Sequence, residues 1–414
     1  MLKRLYFENW KSFHSGELPI DPLTVLIGTN ASGKSNALDA LEFLNRSASS
    51  KDLQVCLAGE LDMPSLRGGA EWASLKPKDR FTLKSLIGGE DERTDYLYSI
   101  TVETIPHIQL LAESLSRLKK RSHSAHSSEI RLFWTDELAH ASPSVVARLY
   151  NGKGGSKKEF RRSASILSQL SGLTLQKDLS LGIETVVQTL QEIFILDPIP
   201  ARMRNYSLLS DRLQSDASNI AGVLAALPEE TSKRVEQELS RYISELPEKD
   251  IVKVWAEKVG RFETDAMLYC RESWVPEEPP TEIDARAMSD GTLRFLAILT
   301  ALLTRPEGSQ IVVEEVDNGL HPSRSNLLLK VLRELGESRK IDVLVTTHNP
   351  ALLDELGTEM IPFVVVSHRD PNTGESKLTL LEDVRNLPKL LATGPIGKLS
   401  SKGLIERNLS EKAS

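Results

Sequence analysis

The sequence predicts an α/β protein whose parallel sheet is assembled from two stretches far apart in the chain. Three observations carry this. The apolar run Leu23 to Ile27 stops at a glycine-rich turn and is followed by a helical pattern. From Thr292 to residue 366 helix and strand signals alternate, as they do in a parallel sheet. Between 80 and 104, "RFTLKSLIGG" and "DYLYSITVET" alternate in polarity about a turn at Gly88 to Asp91, which is the pattern of antiparallel strands.

The elements follow in chain order. Residues 2–8 and 23–27 read as strands around the hairpin-like "SFHSGELPID". Ala37, Leu38, Leu41, Phe43 and Leu44 give a largely apolar helix that starts after Lys34 and runs to about Asn45. Residues 46–79 are polar, punctuated by Gly and Pro, and carry no assignable element. From 105 to 250, "IQLLAESLSRLKKR", "ETVVQTLQEIFIL" and "ETSKRVEQELSRYISEL" have helical spacing and predict a mainly helical insertion. The Pro- and acid-rich "ESWVPEEPPTEID", residues 272–284, reads as its linker. Then come a helix from Thr292, strand 311–315, helix 323–336, strand 341–346, helix 350–356, strand 361–366 and a tail with a hairpin signal. The organisation is therefore 1–104, 105–284 and 285–414. No internal repeat is found, and no heptad pattern persists long enough for a coiled-coil arm.

Composition bounds the class. The 414 residues are 40% hydrophobic and 26% charged, as in ordinary soluble proteins. No apolar run approaches the ~20 residues that cross a bilayer, and the N-terminus lacks a signal-peptide core and reads as a first strand. The two cysteines, Cys56 and Cys270, form no metal-type cluster and suggest a reducing compartment. A cytoplasmic protein without a membrane segment is expected. The net charge of −7 opposes nucleic acid, so any DNA or RNA contact needs a local patch. Lys153, Lys157, Lys158, Arg161 and Arg162 form one such run and "RLKKR" at 117–121 another, although runs of this kind are more often solvated surface.

Chemistry concentrates in four motifs. Gly28 to Ser35 fits G-x-x-x-x-G-K-[ST] in every fixed position, with the strand before it and the helix after it that this pattern needs. Its glycines let backbone N–H groups face a phosphate, and the helix start adds its positive dipole end. Asn30, Ala31, Ser32, Gly33, Lys34, Ser35 and Asn36 are the candidate nucleotide-binding residues, with Lys34 on the β- and γ-phosphates and Ser35 on Mg²⁺. ATP and Mg²⁺ are the expected ligands. "IVVEEVDNGLHP" is an apolar strand ending in acids: Glu314 by position is the metal-side carboxylate and Glu315 the base that orients water. "IDVLVTTHNP" ends the next strand in His348, a candidate partner for a γ-phosphate or the attacking water. Ser289, Asp290 and Gly291 precede a strongly apolar helix; they read either as a plain N-cap or as a second phosphate-binding helix start serving another copy of the chain.

"FENWKSF", "GTNASGKSN", "MSDGTLR", "EEVDNGLHP" and "TTHNP" resemble, in the same order, the N-terminal strand, Walker A, signature, Walker B with D-loop, and switch histidine of the ATP-binding-cassette (ABC) type of AAA-family ATPase, the group of RecF, SMC and OLD proteins. "ILDPIPARMRNY" and "SDASNIAGVLAAL" resemble a subgroup of bacterial ATPases, the AAA_21 type, many found in anti-phage systems. The resemblance implies an ABC-type P-loop head with a mixed sheet, an antiparallel N-terminal β-subdomain and a helical insertion. It also implies a head-to-tail homodimer or higher oligomer in which Ser289, Asp290 and Gly291 complete the partner's site and Asn318 lies on the seam. The implied function is a Mg-dependent, ATP-hydrolysing dimeric switch controlling a DNA-directed or toxic effector in anti-phage defence. A non-hydrolysing ATP-gated scaffold and a RecF-like DNA-maintenance ATPase are the alternatives; "FENWKSF" and the insertion disfavour a transporter subunit. Four departures stand out. Glu314 takes a position usually held by aspartate, and Asp290 one that transporters give to glycine. No glutamine loop can be placed, although Glu103 lies in its usual region. No TOPRIM region follows residue 366, so a nuclease or toxin effector would be a separate chain.

Overall fold

The computed structural model describes residues 1–61, 63–120, 127–136, 142–152, 154–248, 250–273 and 279–410. A six-stranded sheet forms the centre, in the order β10-β15-β16-β3-β17-β18. It is built from β3 (Leu23–Ile27), β10 (Ile193–Leu196), β15 (Gln310–Val313), β16 (Asp342–Thr347), β17 (Val364–Arg369) and β18 (Ser376–Leu380). All neighbours are parallel except β17 and β18, so the sheet is mixed. Its parallel strands β3, β10, β15 and β16 are largely apolar without alternation because both faces are covered. Along β3, Val25 and Ile27 enter one core and Leu26 the other; along β15, Ile311 and Val313 enter one and Val312 the other.

The core on the Leu26 side is closed by α1 (Lys34–Ala48), the short helices α2 (Leu53–Ala58) and α3 (Ile166–Leu170), α4 (Lys177–Gln191) and an eight-stranded antiparallel sheet. That sheet runs β2-β1-β4-β5-β6-β7-β8-β9, from β1 (Leu2–Trp10), β2 (Phe13–Pro19), β4 (Arg80–Gly88), β5 (Thr94–Glu103), β6 (Gln109–Lys120), β7 (Ser127–Thr135), β8 (Ser144–Leu149) and β9 (Ser156–Arg161). The opposite core is closed by α5 (Pro200–Met203), α6 (Ile220–Ala226), α7 (Glu229–Ser244), α8 (Asp290–Thr304), α9 (Ser325–Arg339) and α10 (Pro350–Glu355). A small sheet of β11 (Ser207–Leu208), β12 (Ile251–Val259), β13 (Asp265–Glu272) and β14 (Thr281–Asp284) packs there too. Three short C-terminal helices, α11 (Leu387–Leu391), α12 (Ile396–Ser401) and α13 (Leu404–Ser410), end the described chain. Among the described residues no helix is long and apolar enough to cross a membrane.

The α/β class and the antiparallel β-subdomain agree with the sequence expectation, but the expected helical character of 105–284 holds only in part. "IQLLAESLSRLKKR" is the strand β6, hydrogen-bonded to β5 and β7. The register shift opposite Thr101/Val102 leaves Leu111 of β6 unpaired and breaks its period of two, so its leucines fall at spacings that imitate a helix, while pairing on both edges overrides local propensity. β7, β8 and β9 continue the same sheet. "ETVVQTLQEIFIL" is helix only to Gln191; Ile193–Leu196 is the edge strand of the central sheet, and 251–284 holds three strands among its described residues. Of the segment expected as linker, 274–278 lie outside the described residues, Glu272 ends β13, and Thr281–Asp284 form the strand β14, paired with β13, instead of a linker.

The basic runs prove mixed. Arg162 is buried and donates to Leu110 O and Ser142 O. Lys157 pairs with Asp136, Arg117 with Asp178 and Lys120 with Asp95. Lys158 and Arg161 are exposed on β9, an outer strand of its sheet, where charge discourages edge pairing. Lys153 and Arg121 lie outside the described residues.

Candidate functional site

The parallel strands β3, β15 and β16 end on one side of the central sheet, and the motif residues follow those ends. The loop after β3 turns at Gly28, with φ of 145°, and enters α1 at Gly33, with φ of 117°. A Cβ at Gly28 would lie 2.2 Å from the carbonyl oxygen of Ser367 on β17. One at Gly33 would lie 2.4 Å from Ser376 Oγ. Only residues without a side chain let the loop close this tightly. Thr29, Asn30 and Ala31 are exposed at the rim, and Ala31 has a left-handed backbone with φ of 62°. The loop is pinned from outside: Ser376 Oγ donates to Ser32 O at 2.6 Å and Arg369 Nε to Ala31 O at 2.8 Å. Asn36 Nδ2 donates to Ser12 Oγ at 2.7 Å, and Asn36 O accepts from Trp10 Nε1 at 2.7 Å, so Asn36 ties α1 to the first hairpin.

Lys34 is buried and its Nζ donates to Gly28 O at 2.7 Å and Thr29 O at 3.1 Å. Its ammonium therefore lies across the mouth of the loop. Burial pulls its pKa down, against the pull of Glu315 and Glu314. Ser35 Oγ donates to Glu314 Oε1. The pair expected to hold a metal is thus assembled, with the longer glutamate side chain reaching the serine hydroxyl directly. Glu314 and Glu315 do not extend β15; they form the turn beyond it. Glu315 has φ of 47°, and its N–H donates to Thr346 Oγ1 on β16 at 2.8 Å, which fixes the turn. Its carboxylate stands 3.8 Å from His348 Nδ1, and Asn318 Nδ2 donates to it at 3.5 Å. Both Glu315 and His348 are open to solvent.

Two residues that the sequence did not point to complete this cluster. Arg67, from the unassigned 46–79 stretch, donates from Nη1 to Glu314 Oε2 at 2.6 Å and from Nη2 to Ser35 O at 3.0 Å and Asp39 Oδ1 at 2.7 Å. Asp39 is buried and also accepts from Lys11. Burial works against the Arg67 charge, but Asp39 and Glu314 outweigh it and push the guanidinium pKa up. Asp197, at the end of β10, is the second. Burial raises its pKa, and the charges of Glu314 and Glu315 add to this while Arg294 and Arg67 oppose it. β10 lies beside β15, so Asp197 and Glu314 follow the ends of adjacent parallel strands. The signal for Asp197 was present, since Ile193–Leu196 followed by an acid repeats the pattern of 310–314. Arg67 had none. Glu103, suggested for the glutamine loop, is instead at the end of β5 and accepts from Gln109 Nε2 at 2.5 Å within the antiparallel sheet.

The donor set fits Mg²⁺ and a nucleotide. A loop bounded by Gly28 and Gly33 that runs into the start of α1 is the backbone arrangement that receives a phosphate. A hydroxyl and a carboxylate in contact are oxygen ligands of the kind Mg²⁺ takes alongside phosphate. A guanidinium, Arg67, already sits on both of these residues as a compensating positive charge.

Ser289, Asp290 and Gly291 are elsewhere in their bonding. Ser289 caps α8, its Oγ accepting from Thr292 N at 3.1 Å. Asp290 Oδ1 accepts from Arg204 Nη2 at 2.6 Å. Gly291 abuts the D-loop turn, where a Cβ would come 2.8 Å from Gly319 O. The bonds of Ser289 and Asp290 go to Thr292 and Arg204, not to the 28–35 loop.

Over residues 23–354 the sequence matches the family described as "AAA domain, putative AbiEii toxin, Type IV TA system". Two solved structures have a similar fold. One is an SMC head bound to the C-terminal winged-helix domain of ScpA, 12% identical, aligned over 91% of this chain and 96% of that chain with a TM-score of 0.50. The other is an SMC head with an extended coiled coil bound to the C-terminal domain of ScpA, derived from Pyrococcus furiosus, 11% identical over 94% and 99% of the two chains with a TM-score of 0.51. Among curated proteins no significant match is found.

Proposed function

From the premise that the chain belongs to the AAA_21 family of AAA domains, we propose that it binds Mg²⁺–ATP at the 28–35 loop and hydrolyses it as a head-to-tail dimer. The observation that carries this is the convergence of Lys34, Ser35, Glu314, Glu315 and His348 beyond three adjacent strand ends. Asn30 to Asn36 wrap the phosphates through backbone N–H groups. Lys34 exchanges its two carbonyl partners for phosphate oxygens, a charge-assisted and stronger contact. Ser35 and Glu314 hold the Mg²⁺, which neutralises charge on the phosphates when bound. Glu315 accepts the proton of the attacking water, and His348 beside it orients that water or the γ-phosphate. These groups surround the phosphates from one side. Ser289 and the N–H groups at Asp290 and Gly291 of a second copy supply the other.

The biological role we propose is a nucleotide-gated switch controlling a separate nuclease or toxin, in anti-phage defence. The family description's reference to a toxin–antitoxin system supports a toxic output. DNA or RNA contact through the insertion rests on the exposed Lys158 and Arg161 of β9. Steady-state phosphate release, with and without DNA, tests the enzymatic part. The wild type turns over, and Glu315→Gln keeps ATP binding while losing at least about a hundredfold in rate, the scale of a general base. A wild type that binds ATP without releasing phosphate favours the ATP-gated scaffold instead. A Glu315→Gln variant at the wild-type rate removes Glu315 from the role of base.

A further inference from the structure

Resting on the composite-site reading above, we infer that Arg204 is a positioning residue that makes the signature tip acceptable to the partner's ATP. The tip carries a difficulty. Asp290 is the first residue of α8, and its carboxylate is largely exposed beside Ser289 and Gly291. A carboxylate there suits the helix dipole. It also uses up the positive potential that a phosphate would seek, and it repels a polyphosphate brought close to it.

Arg204 answers this with one nitrogen. Its Nη2 donates to Asp290 Oδ1 at 2.6 Å and to Met288 O at 2.8 Å. The two contacts bracket Ser289, joining the residue before it to the residue after it. The carboxylate is neutralised and drawn toward Met288, and the backbone N–H groups at the tip are left for an anion. The guanidinium is well placed for this. It follows α5, which is carried by the segment leaving β10, and that segment is fastened by Asp197 N to Ser215 O at 2.8 Å and Ile199 N to Asp216 O at 3.0 Å. Arg202 adds an ion pair to Asp216 at 2.9 Å. Arg204 itself is about three-quarters covered, whereas Asp290 is about two-thirds exposed, so the arginine is the fixed member of the pair and the aspartate the one it holds. An acid at position 290 thus requires a base at 204.

The test uses full-length chains in a Glu315→Gln background, where ATP-driven dimers accumulate, and measures by light scattering the ATP concentration that gives half-maximal dimer. Arg204→Ala is expected to raise that concentration by about tenfold or more, the scale of one uncompensated like-charge contact. ATP binding to the monomer, followed with a fluorescent analogue, stays at the parental affinity, because the 28–35 loop is untouched. Arg204→Ala combined with Asp290→Asn returns dimerisation to within about threefold of the parent, since the offending charge is gone. A merely structural tie to Met288 would not be rescued this way, so a double variant as impaired as Arg204→Ala overturns the inference. So does Arg204→Ala dimerising at parental ATP. A parent that never dimerises at saturating ATP overturns the composite site itself, and the role of Arg204 with it.

Discussion

Alanine at Gly28 probes the 28–35 loop, the proposed phosphate cradle, at its tightest point. Gly28 has φ of 145°, a backbone essentially reserved for glycine, and holding alanine there costs about 1–3 kcal/mol. The added Cβ would lie 2.2 Å from Ser367 O and 2.9 Å from Ser32 Oγ. Ser367 belongs to β17, whose Val366 is in register with Ile27 of β3, so its oxygen cannot retreat without opening the central sheet. Overpacking of this kind costs about 1–3 kcal/mol more. The sum, about 2–6 kcal/mol, is a large share of the ~5–15 kcal/mol that stabilises a folded protein. At a denaturant dependence of about 3 kcal/mol/M it moves the urea midpoint down by roughly 0.7–2 M. Gly33→Ala is the comparison. Its added Cβ would lie 2.4 Å from Ser376 Oγ, which can rotate away at the loss of its bond to Ser32 O, and 2.8 Å from Ser376 Cβ, which cannot; the contact left is longer than the 2.2 Å backbone contact at Gly28, so its midpoint falls less. Circular dichroism during urea titration reads both variants, and an ATP titration of the folded fraction shows weakened binding for Gly28→Ala. A Gly28→Ala variant with an unmoved midpoint and parental ATP affinity would refute the reasoning.

Two further outcomes are expected. Lys34→Ala loses the charge-assisted contacts to the phosphates, and its ATP affinity falls by about a hundredfold, as read by calorimetry; a loss under threefold would contradict the assignment. Asp342, buried at the start of β16, has its pKa pushed up to about 6 by burial, an effect partly offset by the N-terminal ammonium. Because the folded value lies above the unfolded one, its contribution is complete below about pH 4 and is lost as pH rises through about 6. Asp342→Asn removes that loss, so it is more stable than wild type at pH 8, by up to about 3 kcal/mol for a shift of about two units, and equal to it near pH 4. Urea midpoints at the two pH values check it; equal midpoints at pH 8 would contradict it.

The candidate site was legible in the sequence wherever local chemistry defines it. Gly28 to Ser35 needs glycines at fixed spacing whatever surrounds it, and an apolar strand ending in Glu314 and Glu315 is a pattern that can be read without a partner. Arg67 was not legible, because its role depends on where a long loop returns in space. It reaches Glu314 across 247 residues of sequence, and no local signal marks such a return. Asp197 lay between, readable as a strand-end acid but hidden by the helical spacing of α4, which runs almost directly into β10. The same limit explains β6. Its leucines satisfy a helical template, and only pairing with β5 and β7, with a register shift in each ladder, makes it a strand. The expected helical insertion was thus right for α4 and α7, which keep a clean 3.6-residue period, and wrong for β6, whose period of two is interrupted at Leu111.

The composite site is tested most directly by mixing two inactive chains. Ser289→Arg blocks the signature tip but leaves Lys34 and the phosphate loop intact; Lys34→Ala does the reverse. Each alone is expected to hydrolyse ATP negligibly, while Ser289→Arg still binds it. In an equimolar mixture half the dimers are mixed, and each of these holds one intact site, so phosphate release recovers to roughly a quarter of the wild-type rate. A mixture as inactive as its parents, or Ser289→Arg turning over ATP at the wild-type rate by itself, would contradict a site shared between two copies.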